Sequence, residues 1–349
     1  MIALKKHILT STGAFAKQDF AGKQIRKFFS NYSVGRNLLK PLKKRTDFSF
    51  QIFVCHRVLP RENPFAIDTI SVATFERQIN LLQRYFRVVS LQQAVIEKAK
   101  GTIVPNTVCL TFDDGYKDNY DFAFPVLKKY NIPATIFLAT DFIGRNRMLW
   151  HDRLLAILQR TKVERLTVED AGIINKDIST FTTRVQTAYK LLAWLKKFPP
   201  NVRDSRILEI SQECGISEIP VQRIMLNWNE ISKMNRNGIE FGAHTKSHPI
   251  LSLLHAKEIE EEIVGSQSVI ENRLQTPVFS FAYPNGDKGD FDDTAKKVLK
   301  KTGIQCAVST IYGLNSFSQD AYELLRCSLW ERNENRFLGR LLFERFLES

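Results

Sequence analysis

The chain has 349 residues, 44% of them hydrophobic, so it can bury a large core and is long for one compact unit; one main domain carrying an insertion is the expected organisation. Its formal net charge is +13, but eleven Lys or Arg against two acids fall in the first 50 residues, so the imbalance is mainly an N-terminal feature. No apolar run approaches the roughly 20 residues needed to cross a bilayer, so no membrane-spanning helix is expected.

Residues 1–47 interleave that basic charge with Phe15, Phe20, Ile25, Phe28, Phe29, Tyr32 and Leu38. The mixture suits an amphipathic helix lying on an anionic membrane through residues 1–45, and equally a solvated basic arm. A secretory signal is not expected, because Thr10, Ser11, Thr12 and Gly13 interrupt the apolar centre that should follow Lys5 and Lys6. Five cysteines are an odd number, and Cys55, Cys109 and Cys306 sit in apolar runs where a buried thiol is usual. Together these features suggest a reducing, cytoplasmic location, at most peripheral to the inner membrane face.

From Phe48 strand and helix alternate. Residues 50–59 read as a buried strand reaching His56 and Arg57, with Pro60 closing it. Helical spacing at Phe75, Ile79 and Leu82 predicts a helix over 73–84, and residues 87–91 a short strand leading into another helix. A strand at 108–112 stops at Asp113, Asp114 and Gly115; a helix near 120–130 and a strand at 134–139 follow. Between 145 and 224 the alternation lapses into helical stretches at 150–159, 183–198 and 203–213, with one short strand at 165–168, and this reads as a helical insertion. Strands at 238–242, 278–283, 304–309 and 323–329 and helices at 255–273 and 293–302 complete the main domain to 335, and a helical tail spans 336–349. Such alternation points to a parallel α/β sheet or barrel.

Within the insertion, residues 207–217 followed by 221–225 have the spacing of a helix-turn-helix, which on a basic chain raises DNA binding. Pro220 falls where the recognition helix should begin, and Glu209, Glu213 and Glu218 would face phosphates, so no nucleic-acid partner is expected.

Two clusters carry chemistry. Asp113 and Asp114 close a strand, and by themselves would equally suit an Asp-Gly turn. His244 and His248, four apart in a turn halted by Pro249, tip the balance. Two imidazoles and one carboxylate make a donor set that leaves positions for water and substrate. It suits one divalent ion, Zn²⁺ first, with Co²⁺, Ni²⁺, Mn²⁺ or Fe²⁺ able to use similar ligands. A nearby Asp113 could then take a proton from an attacking water.

Thr111-Phe-Asp-Asp-Gly115 and His244-Thr-Lys-Ser-His248 resemble the first two motifs of the polysaccharide deacetylases, the NodB-homology domains of carbohydrate esterase family 4. The resemblance covers roughly 48–145 and 225–330. It implies a distorted (β/α) barrel of about seven strands interrupted by the insertion, and metal-dependent hydrolysis of an N-acetyl group on a sugar. The partner it implies is an acetylated glycan, or a lipid-linked or small saccharide. By position it makes Asp113 the general base and Asp114, His244 and His248 the metal ligands. Phe281-Ala-Tyr-Pro-Asn285 is similar to the third motif, so Tyr283, Pro284 and Asn285 are expected to line the substrate, Asn285 lending a backbone N–H to the oxyanion.

The chain departs from that pattern in two places. The arginine that orients the base two residues before the third-motif proline is replaced by Ala282, and Arg326 is the candidate substitute. No histidine follows His255, so the usual late histidine is missing; as in the branch related to poly-N-acetylglucosamine deacetylases, His56 is expected to be the acid, on the side of the metal away from Asp113. Residues 148–154 also look like members found with exopolysaccharide synthesis machinery. An O-acetyl esterase and a carbohydrate-binding pseudoenzyme stay as alternatives on the same scaffold.

Overall fold

The all-apolar or nearly all-apolar runs form strands that are covered on both faces. In β1 (Gln51–Cys55), β5 (Thr107–Phe112) and β6 (Ala134–Leu138) every residue is buried, as parallel strands flanked by helices require. The computed structural model describes residues 49–219, 223–329 and 337. The basic arm and all of the tail except Phe337 lie outside the described residues, as do the expectations that fall on them.

One parallel sheet organises the chain. Its order is β11 (Cys306–Val308), β10 (Ser280–Ala282), β9 (Ile239–Ala243), β6, β5, β1 and β12 (Cys327–Ser328), and the two-residue β4 (Arg87–Val88) pairs with the start of β5. The edges curl towards each other. Leu324 forms a parallel bridge with Val308 of β11, and three residues later β12 pairs with Phe53 and Val54 of β1. The result is the distorted seven-stranded (β/α) barrel. Close approach within it depends on Gly242, where an added Cβ would fall 2.6 Å from the Phe137 ring and 2.7 Å from the Ser280 carbonyl.

Helices cover the sheet by their apolar stripes. In α1 (Val72–Tyr85) Ser71 accepts from the Thr74 N–H, and Phe75, Ile79 and Leu82 are buried. Phe75 meets Phe112 edge to face at 5.9 Å between centroids, and each such buried side chain contributes about 1.5–3 kcal/mol. Helix α2 (Leu91–Lys100) lies over the side of β5 opposite α1, and α3 (Phe124–Lys129) is preceded by a π-helical turn at Asn119–Ala123. All five cysteines are buried, and none is in a disulfide.

The insertion comprises α4 (Trp150–Arg160), an antiparallel hairpin of β7 (Arg165–Val168) and β8 (Ile173–Asp177), α5 (Phe181–Leu195) and α6 (Pro200–Glu213). It has its own apolar cluster, including Leu154, Leu158, Leu191, Leu195 and Ile207. Strand β8 is missing from the sequence reading because only Ile173 of its five residues is buried. Among the described residues the helix-turn-helix does not form: 223–227 are not helical, and Met225 instead makes an antiparallel bridge to Tyr116. Beyond it come α7 (Trp228–Asn235), opened by an Asn227–Glu230 capping box and too short to show a period, then α8 (Ala256–Leu274) and α9 (Asp293–Lys301).

The strand expected over 50–59 is broken at His56. Its second part, β2 (Arg57–Leu59), leaves the barrel to pair with β3 (Thr69–Ser71). That break frees the His56 side chain at the end of β1.

Candidate active site

The polar residues gather where the barrel strands end, the end at which this architecture keeps its chemistry. Asp113 follows β5, and Arg326 lies between the Leu324 bridge and β12. Their pairing is bidentate: Arg326 Nη1 donates to Asp113 Oδ1 and Nη2 to Oδ2, each at 2.7 Å. Arg326 is held in turn by Nε to the Ser309 carbonyl at 2.6 Å and by Nη1 to Thr111 Oγ1 at 3.2 Å. Both side chains are almost wholly buried. Burial alone would raise the Asp113 pKa, and the Arg326 charge and hydrogen bonds outweigh it, keeping the carboxyl below its ordinary value and ionised. The arginine uses one lone pair on each oxygen, so each oxygen retains another for a proton.

The neighbouring carboxylate turns the other way. Asp114 Oδ1 lies 3.4 Å from His244 Nε2 and 3.2 Å from His248 Nε2, and these atoms form a buried three-donor cluster. His244 Nδ1 is 2.7 Å from the Ala282 carbonyl, which fixes the proton on Nδ1 and leaves Nε2 as a lone pair. Asp114 Oδ1 is buried with no hydrogen-bond partner and faces the two imidazole Nε2 atoms. Burial disfavours charge on His244, yet the Asp114 and Asp113 carboxylates raise its pKa, so the cluster attracts positive charge. A divalent cation satisfies all three donors, and the residues therefore fit a metal.

Local backbone geometry aims these groups. Asp114, Thr245, His248 and Asn285 all have positive φ (76°, 64°, 59° and 59°), a costly conformation for non-glycine residues that clusters at functional sites. The 244–248 turn is tied to α8 by Glu262, which accepts from the Lys246 and Ser247 N–H groups at 2.7 and 2.8 Å and from Ser247 Oγ at 2.6 Å.

His56 Nε2 lies 3.9 Å from Asp113 Oδ2, and Nδ1 lies 3.6 Å from Asp68 Oδ2. The imidazole therefore shares a side with the base, which corrects the expectation that it sits across the metal from Asp113; the break after β1 turns the chain so that His56 meets β5's end. Asn119 holds the His56 carbonyl at 2.9 Å, and Asp118 pairs with Arg57 at 2.8 Å.

The third-motif residues divide. Tyr283 points into the core: its hydroxyl donates to the Tyr322 carbonyl at 2.8 Å and its ring stacks on Phe291 at 3.8 Å, so its hydroxyl is already engaged. Pro284 turns the chain, and Asn285 has a buried side-chain Nδ2 without a partner.

Sequence reasoning set aside His151 because it belongs to the insertion, yet its ring lies 5.6 Å from that of His248. Tyr116 O–H donates to Asp152 Oδ2 at 2.9 Å and lies 2.9 Å from His151 Nε2, so α4 brings His151 and Asp152 onto Tyr116 beside the candidate metal ligands. Burial, opposed by Arg57, pushes the Asp152 pKa up to about 7. The adjacency of His151 and Asp152 at the head of an amphipathic helix was the one signal in the sequence.

Comparison with known proteins points the same way. The family described as polysaccharide deacetylase matches residues 100–307. YxkH of Bacillus subtilis is 23% identical over 219 residues, covering 63% of this chain and 50% of that protein. A poly-beta-1,6-N-acetyl-D-glucosamine N-deacetylase of Staphylococcus epidermidis is 28% identical over 187 residues, covering 48% and 58%. The chain thus spans about half the length of the curated relatives it matches. Among solved structures, IcaB from Ammonifex degensii superposes with a TM-score of 0.56 at 19% identity, covering 86% of this chain and 98% of that one. The Streptococcus pyogenes deacetylase PplD gives 0.54 at 17% identity, covering 81% and 93%. At these identities the structural likeness speaks for the fold.

Proposed function

The chain belongs to the polysaccharide deacetylase family, and from that we propose that it hydrolyses N-acetyl groups on an N-acetylhexosamine-containing glycan or glycan precursor. The observation that carries the reading is the division of labour between adjacent aspartates: Asp113 locked on Arg326, Asp114 facing two histidines. A divalent ion held by Asp114, His244 and His248 would acidify a water and polarise the acetyl carbonyl. Asp113, ionised and oriented by Arg326, accepts the proton of the attacking water. His56, beside Asp113, donates a proton to the departing amine, which is a poor leaving group without one. The backbone N–H of Asn285, the residue after the third-motif proline, would meet the oxygen on which charge develops.

Acetate release from a panel of N-acetylated and O-acetylated oligosaccharides, with and without a chelator, tests this. The reading expects release from N-acetylated members that stops with chelator and returns with added metal. Release confined to O-acetylated members would replace it with an esterase.

A further inference from the structure

The insertion carries a buried cation that makes no ion pair among the described residues. Arg203, in the first turn of α6, is only 3% exposed, and its Nε and Nη1 are buried without hydrogen-bond partners. Its guanidinium lies over the Trp150 ring, 4.6 Å from the centroid, and the Trp150 Nε1 is likewise buried without a partner. Asp204 follows directly in the chain but bonds Arg153 at 3.0 Å on the exposed surface. Burial pushes the Arg203 pKa down, opposed by Asp204, to about 10, which leaves it charged at neutral pH.

This spot adjoins the active site. Trp150 packs on His151 at 5.5 Å, and His151 on the metal-ligand candidate His248 at 5.6 Å. The exposed Lys196, at the end of α5, adds positive charge that bears on His151 and on Asp290 of the barrel. The first turn of α6 has Pro199 as its cap and no capping side chain, so the helix end itself favours an anion.

An unpaired buried guanidinium is destabilising, and stacking on one indole offsets it only in part. Packing alone would be better served by an apolar residue. Arginine's planar fork matches carboxylate and phosphate oxygens, and the indole N–H adds a third donor, whereas a neutral hydroxyl would leave the charge uncompensated. We propose that Arg203 and Trp150 bind an anionic group of the substrate, a phosphoryl or carboxylate substituent on the acetylated saccharide, beside the Asp114–His244–His248 centre. The assignment of that anion to the substrate rests on the deacetylase reading; the anion site itself does not.

Calorimetry on the full chain tests it with three probes: N-acetylglucosamine 1-phosphate, glucuronate and N-acetylglucosamine. The first two distinguish a phosphoryl from a carboxylate source, and the third is the neutral control. At least one anionic probe should bind the wild type, and Arg203→Met should weaken that binding roughly 10- to 100-fold, the scale of charge-assisted hydrogen bonds. Trp150→Phe, which keeps the ring and loses the donor, should weaken it by less. The melting temperature of Arg203→Met should equal or exceed that of the wild type, because an uncompensated charge has been removed. Binding of neither anion, or equal affinity in wild type and both variants, would overturn the proposal. Because binding is read without turnover, Arg203-dependent anion binding in a protein that releases no acetate would sink the deacetylase reading and leave this site standing.

Discussion

Replacing Arg326 by methionine should expose how much the Asp113 carboxylate depends on its counter-ion. The substitution removes both 2.7 Å bonds to Asp113 together with those to Ser309 and Thr111. Asp113, 2% exposed, is left as a buried charge without compensation. Breaking such a pair from one side costs about 3–5 kcal/mol. At roughly 2–4 °C per kcal/mol for a domain of this size, the melting temperature should fall by about 6–20 °C. The Asp113 pKa should also climb, since burial then acts unopposed by Arg326, so turnover near neutrality should fall by about 100-fold or more. A double-mutant cycle separates the pair from general damage. Asp113→Asn removes the stranded charge, so the double variant should recover most of the lost stability and none of the activity. Thermal melts and acetate release on the four proteins give the result; additive stability losses would refute the reasoning, because they would mean that the two side chains do not depend on each other.

Three further outcomes follow from the same geometry. Asp114→Ala, His244→Ala and His248→Ala should each abolish one-to-one metal binding in equilibrium dialysis while circular dichroism stays native, since each removes a third of the donor set. His56→Ala should slow amide hydrolysis strongly and hydrolysis of an activated aryl acetate much less, because only the amine needs a proton to leave; equal losses would reduce His56 to a structural role. Asp152 titrates near 7 when folded and near 4 when unfolded, so between those values the folded state binds the extra proton and stability falls as pH rises. Asp152→Asn should therefore raise the melting temperature of metal-free protein at pH 8 and leave it little changed at pH 4; a uniform shift would contradict the assignment.

Adjacent residues were legible before their partners were. Asp113–Asp114 and His244–His248 are close in sequence, and each pair ends a strand, so their chemistry could be read from spacing. Most of the barrel strands were readable because burial on both faces makes them largely apolar runs, although pairing trims their ends: residues 304–309 shorten to Cys306–Val308. Arg326 could be named only as a replacement for a missing arginine, and what binds it to Asp113 is barrel closure across more than 200 residues. Glu262, which anchors the histidine turn, stands among Glu258, Glu260 and Glu261 on a helix where nothing in the sequence distinguishes it. His151 was passed over because sequence distance separated the insertion from the barrel, whereas α4 starts against His248. The Tyr283 hydroxyl is committed to the Tyr322 carbonyl, a side-chain direction that the motif does not specify.

The central claim is that Asp113 handles the proton while Asp114, His244 and His248 hold the metal, and one variant separates the two roles. Metal stoichiometry and acetate release are measured on Asp113→Asn beside the wild type, with an N-acetylated oligosaccharide that the wild type turns over. The account predicts one metal per chain in both proteins and turnover at least about 100-fold lower in the variant, the usual scale for losing a general base. Undiminished turnover by Asp113→Asn with its metal in place would contradict it.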